Sequence, residues 1–71
     1  MPAVECRSET TYAQRPVAVH WEGRRWAVAA VLAEARTPAG KWFRVQTVDG
    51  PIFELTYVET LDEWQIRFMG R

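Results

Sequence analysis

The chain has 71 residues and balanced charge, with nine basic and nine acidic side chains, so it forms one small domain at most and its net charge does not indicate a nucleic-acid partner. A single cysteine and a single histidine exclude an intramolecular disulfide and the usual Cys/His zinc sites within one chain. Four Trp, two Tyr and three Phe residues supply the large buried area that so short a chain needs for a core.

Residues 1–14 are polar and show no clear period, and we expect a flexible, poorly ordered arm before a single β domain at residues 15–71. The arm carries charges and no apolar run, which is unlike a signal peptide. No segment approaches the length of a membrane span. We therefore expect a cytoplasmic protein without membrane contacts.

Residues 15–28 have the pattern of a β-hairpin. Apolar residues alternate with other residues along both arms, and Glu22-Gly23 between them fits a two-residue turn, because glycine accepts a positive φ. The register that this turn length sets also places apolar residues opposite apolar residues on one face, as the two-residue side-chain period requires. Pairing across the turn gives these opposite pairs: Trp21 with Arg24, Val19 with Trp26, Val17 with Val28 and, on the other face, His20 with Arg25.

Residues 28–36 fit two structures. Val28, Val31, Leu32 and Ala35 have helical spacing, and alanine is the best helix former. However, the segment lacks an N-cap residue and continues directly from a strand. We favour a long, bulged strand and keep a helix as the alternative.

A turn at residues 37–40 leads into two further hairpins. A three-residue loop, Val48-Asp49-Gly50 with Gly50 left-handed, keeps apolar residues on one face, whereas a two-residue turn mixes the faces. An acidic connection at residues 58–63 precedes the last strand. The expected opposite pairs are Phe43 with Leu55, Arg44 with Glu54, Val45 with Phe53, Tyr57 with Trp64, Leu55 with Ile66 and Phe53 with Phe68.

These segments predict an all-β fold of five antiparallel strands in meander order. Each strand offers one apolar face, which is typical of a strongly bent sheet or a small SH3-like barrel. Closure would hide the edges that an open small sheet leaves exposed.

The face opposite the predicted core collects basic and aromatic side chains, while most acidic residues fall in loops. Small barrels with such a face bind single-stranded DNA or RNA by stacking bases and neutralising phosphates. The alternative is a structural charge ladder, in which Glu54 lies between Arg44 and Arg67. The candidate nucleic-acid contacts are His20, Arg25, Trp42, Arg44 and Arg67.

We expect no catalytic residues, no cofactor and no metal site. The sequence has no nucleophile motif, no phosphate-binding loop and no useful pair of carboxylates. His20 beside Arg25 lacks an orienting partner in the sequence pattern, and Cys6 in the arm is expected to be an unreactive thiol. The second function class is a protein-interaction module or homodimer that uses an unpaired strand edge; the oligomeric state stays open.

The pattern Arg15-Pro16-x-x-Val19-x-Trp21-x-Gly23-Arg24-x-Trp26-x-Val28 resembles the opening of a small bacterial domain family of unknown function. That family typically has RPxxFxWxGRxYxV followed by VLxxWR. The likeness covers residues 15–68, with departures at Val19, Trp26 and Ala35, where the family usually has Phe, Tyr and Trp. Members occur alone or as a segment of Y-family DNA polymerase-like proteins. The resemblance implies a nucleic-acid or repair-complex context and no assigned activity. Its later motifs are Val31-Leu32, Arg36, Arg44-Val45, Glu54-Leu55-x-Tyr57 and Trp64.

Overall fold

The structure, a computed structural model, describes residues 3–7 and 15–70. These residues form one antiparallel sheet in which neighbours along the chain are neighbours in the sheet. The sheet curls into a half-barrel, and the predicted all-β meander is confirmed. Its strands are β1 (Val4–Arg7), β2 (Arg15–Trp21), β3 (Arg24–Arg36), β4 (Gly40–Thr47), β5 (Ile52–Val58) and β6 (Glu63–Gly70).

Strand β1 makes the sheet six-stranded, one strand more than the five expected from the sequence. It lies in the segment that we expected to be a poorly ordered arm, and it pairs with β2 so that Val4 is opposite Val19. Val4 is only 3% exposed and joins the core, because the curled sheet leaves an apolar site beside β2 that the residues of β2 do not fill. The rest of the predicted arm, residues 1–2 and 8–14, lies outside the described residues.

The hairpin registers predicted from the turns are confirmed, except for the expected pair of Val17 with Val28: β2 and β3 pair as far as Ala18 and Ala27, and Val28 pairs with Thr47 of β4. Glu22 and Gly23 have φ values of 50° and 75°, which are the left-handed conformations of a two-residue hairpin turn. Gly50 has a φ of 111° after the three-residue loop. The observed pairs include Val19 with Trp26, His20 with Arg25, Val45 with Phe53, Arg44 with Glu54, Leu55 with Ile66 and Phe53 with Phe68.

Residues 28–36 are strand, not helix. They belong to β3, a 13-residue strand whose register shifts between Val28 and Ala30 and again between Val31 and Ala33. The first part of β3 pairs with β2 and the second part with β4. Because bulges bend a strand, β3 turns the sheet from one half of the half-barrel to the other, and these tertiary pairings override the helix preference of its alanines.

The core is built around Phe53, which is fully buried on β5. Its ring lies 5.4 Å from that of Trp21 on β2, 5.8 Å from that of Trp26 on β3 and 5.5 Å from that of Phe68 on β6. Trp21 also stacks on Phe68 with ring centroids 5.0 Å apart and planes 8° from parallel. Among the described residues no backbone pairing joins β2 to β6, so side chains alone close this seam.

Replacing Phe53 with alanine is expected to lower the free energy of unfolding by about 3–5 kcal/mol, because the substitution removes buried ring area and leaves a cavity. Urea unfolding followed by tryptophan fluorescence measures the change, and Phe53→Leu is expected to retain part of the lost stability. Val48→Ala is the control, since Val48 is 68% exposed in a loop. A Phe53→Ala protein as stable as the control would contradict the central role of this ring.

Candidate nucleic-acid interface

The five candidate contact residues lie in two groups on the outer face of the sheet. His20 and Arg25 are opposite each other on β2 and β3. Trp42 and Arg44 lie on β4, out of phase with the buried Phe43 and Val45, and Arg67 lies on β6. The bulged strand β3 turns the sheet between the two groups, so the face predicted to be continuous is divided.

The first group is held by a residue that the sequence analysis did not select. His20 Nε2 lies 2.6 Å from Glu5 Oε2, and Arg25 Nε donates to the same oxygen at 2.8 Å, with Nη2 at 3.3 Å from Oε1. The hydrogen bond from Arg25, followed by that from His20, holds the pKa of Glu5 below its usual value, and Glu5 in turn raises the pKa of Arg25. We call Glu5, His20 and Arg25 the Glu5 cluster.

The Glu5 cluster has a structural effect of its own, because it ties the edge strand β1 to β2 and β3. A phosphate that bound His20 and Arg25 would first have to displace the Glu5 carboxylate. The alternation of Val4 and Cys6 with Glu5 and Arg7 was the sequence signal for β1, and two apolar positions are too few to identify a strand.

The second group surrounds Glu54 on β5, which has Arg44 opposite it on one side and Arg67 on the other. Arg44 Nη2 donates to Glu54 Oε2 at 2.9 Å, and its guanidinium carbon lies 5.4 Å from the Trp42 ring centroid. Arg67 makes no ion pair with any described residue. The expected charge ladder is therefore formed on one side only. We call Trp42, Arg44, Glu54 and Arg67 the outer patch.

The loop carboxylates bind nearby side chains. Asp49 pairs with Arg24, whose guanidinium carbon also lies 4.0 Å from the centroid of the Trp26 ring. Asp62 accepts a hydrogen bond from the Tyr57 hydroxyl and thereby raises the pKa of that tyrosine. The outer patch accordingly carries two cations and one carboxylate, with no loop carboxylate shown to contact it.

Other potential reactive groups in the described residues are few. Cys6 is half-buried in β1, and burial raises the pKa of its thiol, which lowers the thiolate fraction at neutral pH. No group of three or more His, Cys, Asp or Glu residues is placed to hold a metal ion within residues 3–7 and 15–70. A shallow groove of about 270 Å³ is lined by Arg15 and residues 31–34 and contains none of the candidate contact residues.

Comparison with family models, with curated proteins and with solved structures finds no match to this chain. The described part of the chain contains no helix that is long and apolar enough to cross a membrane. The assignment of a function therefore has to come from the geometry of the Glu5 cluster and the outer patch.

Replacing Glu5 with glutamine is expected to weaken the attachment of β1 at neutral pH. The folded-state pKa of Glu5 is lowered, so its ionised contacts stabilise the fold at pH values above the unfolded-state pKa of a glutamate. This stabilisation is lost as the pH falls through the folded-state pKa. The difference between wild type and Glu5→Gln should therefore be present at pH 7 and disappear in acid.

Amide hydrogen exchange at His20 measures this effect directly, because His20 N–H donates to the Ala3 carbonyl at 2.8 Å. Glu34→Gln is the matched control, since Glu34 is exposed and makes no ion pair with a described residue. Equal exchange at His20 in both variants across the pH range would show that Glu5 does not hold β1.

Proposed function

We propose that the protein is a non-catalytic binding module for single-stranded nucleic acid and that the outer patch contacts the strand. The observation that carries this proposal is the placement of the Arg44 guanidinium beside the Trp42 ring, on the same face as Arg67, which has no ion-pair partner among the described residues. An aromatic ring next to cations is the combination by which sheet surfaces stack bases and bind phosphates without selecting a sequence.

The spacing of the two arginines supports a contact with an extended strand. Arg44 and Arg67 lie on β4 and β6 with β5 between them, so their backbones are roughly 10 Å apart at the usual distance between neighbouring strands. In this proposal the two guanidinium groups bind different phosphates of one strand, and Trp42 stacks on a base beside Arg44.

Arg44 is available for this role although it pairs with Glu54. The pair lies on the surface, where an ion pair contributes only about 0–1 kcal/mol, so a phosphate can replace the carboxylate at little cost. His20 and Arg25 are less available, because both bind the same carboxylate of Glu5. They remain secondary contacts in the proposal.

The proposal of a non-catalytic role is supported by the surroundings of His20. Its Nε2 is engaged by Glu5, and no serine, threonine or cysteine nucleophile among the described residues lies in hydrogen-bonding contact with it, although catalysis by histidine needs a reacting group within reach. The resemblance of residues 15–68 to the small bacterial family adds a nucleic-acid or repair-complex context to the proposal.

A fluorescein-labelled oligothymidylate titrated at low salt tests the nucleic-acid proposal. Trp42→Ala is expected to weaken binding about tenfold or more, because base stacking on an aromatic ring contributes roughly 1–3 kcal/mol. Arg44→Gln and Arg67→Gln should each weaken binding and lower the slope of log K against log salt by about 0.7 for each phosphate that the protein no longer neutralises.

Lys41→Gln is the matched control, because it removes the same charge from β4 on the opposite side of the strand from Trp42 and Arg44. Binding that falls equally in Lys41→Gln and Arg44→Gln would indicate nonspecific attraction to the whole protein. In a parallel NMR titration, absence of any chemical-shift change of the Trp42 indole N–H at sub-millimolar oligonucleotide would contradict the proposal.

A second candidate function is association with another protein chain. It is favoured by β6, which pairs on one side with β5 and has no strand on its other side among the described residues. An exposed strand edge binds extended chains through main-chain hydrogen bonds. Trp42 lies on β4, away from this edge, so the effect of Trp42→Ala on oligonucleotide binding separates the two candidates.

A further inference from the structure

We propose that the protein forms a homodimer in which β6 pairs antiparallel with β6 of a second copy, with Glu63 opposite the partner's Arg67. This inference rests on the protein-association candidate, and it shares only Arg67 with the proposed nucleic-acid contacts. It follows from the edge of β6 that no described strand pairs with, from the register that backbone geometry allows, and from the charges that this register brings together.

The two ends of the sheet differ in how well they can accept another strand. The edge strand β1 has four residues and a register shift between Glu5 and Cys6, and short or bulged edges resist pairing. The edge strand β6 has eight residues with neither proline nor lysine, the residues that commonly block pairing at an edge. A second strand therefore adds at β6.

Two apolar side chains of β6 remain partly exposed to solvent. Phe68 faces the core and contacts Phe53, yet it remains 44% exposed, whereas Phe53 on the next strand is fully buried. Met69 on the outer face is also 44% exposed. A second copy paired along residues 63–67 would place its turn at residues 59–62 beside Phe68 and Met69, which is favourable because it removes apolar surface from water.

Backbone geometry restricts the register of a symmetric pair. In an antiparallel strand, each residue directs its N–H and its C=O to one edge of the strand, and this edge alternates from residue to residue. Two opposite residues must therefore both direct these groups toward the shared edge or both direct them away from it. In a two-fold symmetric pair, residue i of one copy faces residue j of the other and j faces i. The two residues must therefore be separated by an even number of positions, which excludes half of all registers.

Charge selects one register among those that remain. β6 carries one acidic residue, Glu63, and one basic residue, Arg67, and neither makes an ion pair with a described residue. They are four positions apart, so a pair centred on Gln65 sets each Glu63 opposite the partner's Arg67, and symmetry forms this contact twice. A pair centred on Arg67 would instead set two like charges opposite each other, which is unfavourable.

Apolar residues agree with the same register. On the core side, Trp64 lies opposite the partner's Ile66, and both residues are partly buried against the core of their own copy. On the outer face, Met69 points toward the partner's turn at residues 59–62, which carries Leu61 at 60% exposure. Charge and apolar contacts therefore favour a second copy over an unrelated strand.

The test measures the mass of the wild-type chain by sedimentation between tens of micromolar and about one millimolar, the range expected for a weak dimer through one strand edge. Glu63→Arg places two arginines opposite each other at both symmetric contacts. It should weaken the dimer about tenfold or more, because like charges at opposite strand positions repel. Arg67→Glu should do the same with two glutamates.

An equimolar mixture of Glu63→Arg and Arg67→Glu provides the decisive measurement. Each variant alone repels its own copy, but a mixed pair sets the arginines of one variant opposite the glutamates of the other at both contacts, so a heterodimer should form with wild-type affinity. Glu34→Arg is the control for charge reversal, since Glu34 is exposed on β3. Circular dichroism checks each fold, and Glu63→Arg carries the test alone if Arg67→Glu, which faces Glu54 of its own chain, fails to fold.

A concentration-dependent wild-type dimer, weakened by each reversal and restored in the mixture, would support the proposal. A wild-type chain that stays monomeric at about one millimolar would overturn it, as would a dimer that Glu63→Arg does not weaken. A monomer that binds an added strand peptide at β6 would replace the second copy with another partner. Absence of oligonucleotide binding at protein concentrations below the dimerisation range, with a dimer above that range, would contradict only the proposed function.

Discussion

The packing of Trp21, Trp26 and Phe68 around Phe53 determines the shape on which the rest of the structure depends. These rings come from β2, β3 and β6 and meet the fully buried ring on β5. A flat meander of short strands would not bring β2 near β6, because three other strands separate them in the sheet order. The rings hold the sheet curled, and the curl decides which side chains face inward and which form the outer patch.

Turn chemistry made most of the fold predictable. Once Glu22-Gly23 and the loop at residues 48–50 were identified, the two-residue side-chain period left one register that kept apolar residues together. Strand β1 could not be found in this way, because it has only four residues, and no turn signal joins it to β2, with which it pairs at Val4 and Val19. The bend in β3 was also hidden, since its alanines fit a helix as well as a strand.

The same limit applies to the candidate site. Register predicted that Glu54 lies between Arg44 and Arg67, but it could not predict that only Arg44 binds the carboxylate. It could not predict that Glu5 engages His20 and Arg25 either. Arg67 is consequently the residue that both proposals need, as a phosphate contact and as a contact to a second copy. One guanidinium cannot serve both fully, so nucleic acid and the second copy would compete for it.

The seam between β2 and β6 gives the half-barrel an unusual mode of local opening. Trp21 and Phe68 close it by stacking, and no described backbone hydrogen bond crosses it. The rings can separate while every ladder between neighbouring strands stays intact. Such a fluctuation would expose aromatic surface to water without breaking a hydrogen bond of the sheet, so amide exchange would not report it, whereas a probe of the aromatic rings would.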